Sequence, residues 1–71
     1  MNKETKKVYD FIQQDEQLKQ KVKSLRSKHN NFKDFYNQVG YVIMDILNRN
    51  KQFHDYPRNK IEIVKIAEMF F

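Results

Sequence analysis

An all-helical fold is predicted for this chain, and three observations carry that prediction. Apolar residues recur at alternating spacings of three and four along most of its length, which is the mark of amphipathic helices. Glycine and proline occur once each, leaving few places for the tight turns of an all-β chain. The single β-branched run that reads as a strand, Ile61 to Ile66, has no second strand to pair with.

The first helix is expected from about Lys3 to Lys28. Val8, Phe11, Leu18, Val22 and Leu25 draw one apolar stripe along it, with Ile12 beside them. Asp15 falls where the stripe wants an apolar residue. A continuous or mildly kinked helix is the favoured reading, because no Gly or Pro is there to end it. The alternative is a break at Gln14, with Asp15 capping a second helix.

The first turn spans Ser27 to Asn31. Asn31 suits an N-cap, and Asp34 can reach back as an imperfect capping box. The next helix turns Phe32, Phe35, Tyr36, Val39, Val42, Ile43, Ile46 and Leu47 inward, the clearest amphipathic pattern in the chain. Gly40 interrupts it at about 1 kcal/mol against Ala, so a close helix crossing is expected there. Asp45 and Arg49 stand at i,i+4 and should pair.

A second turn, from about Asn50 to Arg58, contains Pro57. Asn59 with Glu62 then reads as a capping box opening the last helix. Ile61, Ile63, Val64, Ile66, Ala67, Met69, Phe70 and Phe71 make that segment apolar nearly all round, with Glu62, Lys65 and Glu68 as a narrow polar stripe. These elements predict one domain over residues 1–71, a small three-helix bundle, with a homodimer as an alternative.

Size favours a partner. A chain of 71 residues buries only about 60% of the surface its unfolded form exposes, and with no cysteine it has no disulfide to reinforce it. Mean hydropathy is low at −0.92, which leans toward disorder. Aromatic content of 14% outweighs this, since each Phe or Tyr brings a large area to bury. No apolar run is long enough to span a membrane, and the charged first residues lack the apolar core of a signal peptide, so a cytoplasmic location is expected. The richness in Lys, Asn and Ile, all encoded by A/T-rich codons, suggests a low-GC bacterium, its phage or a mobile element as the source.

The composition offers little to catalysis. His29 and Ser27 lie in a turn without a nearby carboxylate, His54 and Asp55 are adjacent rather than at helical ligand spacing, and no glycine-rich phosphate loop is present. No enzyme activity, metal, cofactor or small-molecule substrate is expected. The carboxylates should mostly form surface ion pairs with nearby Lys and Arg.

Two features suit binding. One is the apolar last helix, which two neighbours in so small a bundle cannot cover on every side. A protein-partner interface is expected at Ile63, Ile66, Met69, Phe70 and Phe71, with Tyr41 and Met44 extending it. The other is charge. The formal net charge is +5, and no acid occurs between Glu16 and Asp34, where Lys19, Lys21, Lys23, Arg26, Lys28 and Lys33 all fall. On a helix these residues split between two flanks of the stripe. A second basic group, Arg49, Lys51, Arg58 and Lys60, is expected at the opposite end of the bundle. The leading expectation is a non-catalytic protein-interaction module: a regulator, inhibitor or accessory subunit. The alternative is a nucleic-acid-binding accessory protein that sets the 19–33 cluster on phosphates. A role on the membrane surface is weaker, because the basic first helix lacks a broad apolar face.

Overall fold

The computed structural model describes residues 1–71 and is all-helical. Four α-helices run in the order α1 (Lys3–Gln14), α2 (Glu16–Lys28), α3 (Phe32–Arg49) and α4 (Ile63–Phe70). Two 3-10 turns, Lys51–Phe53 and Arg58–Lys60, lie between α3 and α4, and there is no strand.

The bundle therefore has four helices rather than the expected three, because the first predicted helix breaks at Asp15. Asp15 takes an extended backbone conformation (φ −106°, ψ 107°), and its carboxylate accepts from the backbone N–H groups of Gln17 and Leu18. A cap on two otherwise unpaired donors offsets the lost helical continuity. Length supplies the other reason. The 12 residues of α1, Asp15 and the 13 of α2 would make a straight rod of about 39 Å at 1.5 Å per residue. The molecule is only 33 Å along its longest axis. A rod of that length would carry part of its apolar stripe past the end of α3. Breaking at Asp15 lets α2 pack on both α1 and α3.

The strongest pattern in the sequence gives the most regular element. Asn31 caps α3 by accepting from Lys33 and Asp34 N–H groups, and Asp34 makes no return bond. Phe35, Val39, Val42, Ile43, Ile46 and Leu47 of α3 are all buried. They form the spine of a single core joined by Val8 and Ile12 of α1, Val22 of α2, Phe53, Ile61, and Ile66 and Ala67 of α4. Phe53 is the one core residue that no periodic pattern announces. It sits in a polar turn and is held by edge-on contacts with the rings of Phe11 (5.2 Å) and Tyr56 (5.1 Å).

The last helix starts at Ile63, three residues later than a cap at Asn59 implies. Arg58–Lys60 forms a 3-10 turn instead, and Glu62 caps no helix with its side chain. Contacts with α1, far away in sequence, decide this. Thr5, the one fully buried polar residue, accepts the Glu62 backbone N–H at 2.8 Å and donates to Lys60 O at 3.4 Å. Asn2 Nδ2 donates to Lys60 O at 2.6 Å, and the Asn2 backbone N–H donates to the Glu62 carboxylate at 2.7 Å. The residues meant to cap α4 are thus taken up by a polar latch on the start of α1.

Candidate docking groove between α3 and α4

The long side of α3 that faces α4 is not fully covered. Antiparallel α4 brings Ile63 beside Gly40, and Phe71 beside Phe32 and Phe35. Tyr36, Asn37, Gly40, Tyr41, Met44 and Ile63 line one depression of about 290 Å³. Phe32, Glu68 and Phe71 line a second, and the stacked rings of Phe32 and Tyr36 (6.4 Å) join the two. Together they make a shallow, mostly apolar trough along α3 from Phe32 to Met44. Tyr41 is 72% exposed and Phe71 47% exposed.

The residues expected at a partner interface do not share one face. Ile66 is fully buried by the chain itself and belongs to the core, so a partner has no access to it. Phe70 is half-buried, its ring 5.9 Å from that of Tyr9. Met69, 57% exposed, lies two residues from Phe71 and so roughly on the opposite flank of α4. Ile63 and Phe71 do open on the trough. Phe71 is anchored where it lies: its ring packs edge-on against Phe32 at 5.0 Å, the Arg26 guanidinium sits 4.0 Å over it, and Arg26 Nε donates to its carbonyl oxygen at 3.2 Å. Phe32, Tyr36 and Gly40 were not singled out as binding residues, because the inward stripe of α3 already claims the first two. Their signal is spacing: Phe32, Tyr36, Gly40 and Met44 recur every four residues along one edge of that stripe.

Gly40 is not explained by a close crossing. A Cβ placed there would meet Ile63 Cδ1 and Cγ2 at 3.9 Å, ordinary contact distance. The helix bears about 1 kcal/mol against Ala for a glycine that its own packing does not require.

The basic cluster is open but dispersed. Only two ion pairs form in the whole protein, Lys6–Asp10 at 3.2 Å and Asp45–Arg49 at 2.8 Å, rather than the broad surface pairing expected. Lys19, Lys21, Lys23, Lys28 and Lys33 therefore have no carboxylate partner, and Arg26 is engaged with Phe71. Lys28 and Lys33 flank the start of α3 and Arg49 and Lys51 its end, so the two basic groups are largely separate, and only Lys21 approaches the second. Lys21 and Arg49 line one depression together with Asp15 and Asp45, because the N-terminal half of α2 lies beside the C-terminal half of α3. That depression is of mixed charge.

His54 Nε2 lies 3.3 Å from Asn48 O, His29 ends α2, and no three His, Cys, Asp or Glu residues gather as a metal site. No helix is long and apolar enough to cross a membrane. No family model, curated protein or solved structure matches the chain.

Proposed function

We propose that this chain is a non-catalytic helical binding module, a regulator, inhibitor or accessory subunit, that docks a protein partner in the α3–α4 trough. The observation that carries this reading is the exposed apolar surface left after four helices have packed: Tyr41 at 72% beside Tyr36, Met44 and Ile63, and Phe71 at 47% beside Phe32 farther along α3. A contiguous aromatic patch on so small a protein is a surface for another molecule rather than scattered exposure. Tyr and Met suit such a surface, one rigid and amphipathic, the other adaptable. A lysate of the source organism, treated with nuclease, supplies the test. The wild-type chain should retain a protein that the Tyr41→Ser/Met44→Ser double variant loses while circular dichroism shows its helices intact. Equal retention by both would defeat the reading.

One observation favours a second reading. Five lysines between residues 19 and 33 have no acidic partner, so their charge is available to phosphates. Changing Lys19, Lys21 and Lys23 to Gln should abolish a nucleic-acid function and only slow a protein association.

A further inference from the structure

The α3–α4 trough is bracketed by arginines. At one end the Arg26 guanidinium lies 4.0 Å over the Phe71 ring. At the other, Arg58 Nη1 donates to Met44 Sδ at 3.8 Å and Nη2 donates to Asn48 Oδ1. Neither arginine pairs with an Asp or Glu side chain. Lys33, seven residues before Gly40, rises on the same side of α3. Glu68, beside Phe32 and Phe71, is the one acid lining the trough. Between the arginines the apolar floor runs from Phe32 to Met44, about 18 Å at 1.5 Å per residue.

Resting on the docking role proposed above, we infer that the occupant is an amphipathic helix of another protein, apolar along one stripe and acidic at both ends. About 12 residues of helix span 18 Å, so an apolar stripe at i, i+4, i+7 and i+11 covers the floor while carboxylates reach the guanidiniums. Gly40 lies mid-floor. With no side chain there, a partner's apolar residue comes close to the α3 backbone, and this accounts for a glycine that the chain's own packing leaves unexplained. A second copy of the chain is the wrong partner. It would bring a net charge of +5 and the same two arginines to a trough that already holds them.

Two synthetic helical peptides with the same leucine stripe test the inference, one ending in glutamates at both ends and the other in lysines at those positions. Each is titrated into the isotope-labelled full chain and followed by nuclear magnetic resonance. The glutamate peptide should shift the signals of Gly40, Tyr41, Met44 and Ile63 and bind at least about tenfold tighter than the lysine peptide. Arg26→Gln with Arg58→Gln should erase that preference. Gly40→Ala, which leaves the fold intact, should weaken the glutamate peptide severalfold while raising Tm. Equal affinity of the two peptides at the trough overturns the acidic occupant but leaves the docking face standing. Binding unchanged in Gly40→Ala overturns the role given to that glycine. If neither peptide shifts the trough signals, the inference fails, and retention by the Tyr41→Ser/Met44→Ser variant then decides separately on the docking face.

Discussion

Replacing Thr5 by Val isolates the polar latch between α1 and the approach to α4. Valine matches threonine in shape, so the apolar packing around this fully buried residue stays while its hydroxyl is lost. Two hydrogen bonds disappear, but they differ in weight. Lys60 O keeps its 2.6 Å bond from Asn2 Nδ2, so losing the 3.4 Å bond from Thr5 matters little. The Glu62 N–H loses its only partner, at 2.8 Å, in a half-buried position. An unsatisfied donor of this kind costs about 1–3 kcal/mol. For a domain this size each kcal/mol lowers Tm by about 4–8 °C, so a fall near 10 °C is expected. Total stability should be only about 4–11 kcal/mol at 0.05–0.15 kcal/mol per residue, so the variant still folds but with visibly less margin. Thermal melts by far-ultraviolet circular dichroism read the effect. Thr5→Ser is the control, since it keeps the hydroxyl and loses only a methyl group. Valine should destabilise more than serine. If Thr5→Val melted with the wild type, or if serine proved the worse change, the hydroxyl would not be holding α4 to α1.

Other substitutions probe the remaining joints. Asp15→Ala removes the cap between α1 and α2 and should cost about 0.5–2 kcal/mol in urea unfolding, with an unchanged m-value if both helices persist. Gly40→Ala should stabilise α3 by about 0.5–1 kcal/mol, because the added methyl meets only Ile63 at contact distance; a loss of stability would contradict that geometry. Phe35→Ala empties the largest fully buried side chain and should cost about 3–5 kcal/mol, enough to leave much of the population unfolded by calorimetry. Lys21→Gln and Lys23→Gln together should leave the unfolding free energy within about 0.5 kcal/mol of wild type in urea melts, because neither lysine has an ion pair to lose.

The helical class and α3 were legible in the sequence because a regular apolar stripe and a good cap at Asn31 agree with the tertiary packing. The break at Asp15 was not resolved, since the same stripe fits one helix or two and only the length of α3 decides between them. The delayed start of α4 had no local signal. Asn59 and Glu62 look like a capping box, and residues 2 and 5, more than fifty positions away, outcompete it. The candidate site was legible only in part. Apolar content marked α4 as a place for a partner, yet which of its residues stay open depends on neighbours. Ile66 turns into the core, Phe70 onto Tyr9, and only Ile63 and Phe71 meet the trough. Most of that trough comes from α3, where Tyr36 and Gly40 had been read as core and crossing.

The central claim is that a partner sits on α3 and α4 and not on the lysines of α2. Hydrogen exchange on the purified, nuclease-treated complex tests it most directly. Added protection should fall across residues 36–44 and 63–70, with α2 unchanged. Protection confined to residues 19–28, with the α3–α4 face exchanging as in the free protein, would contradict the account.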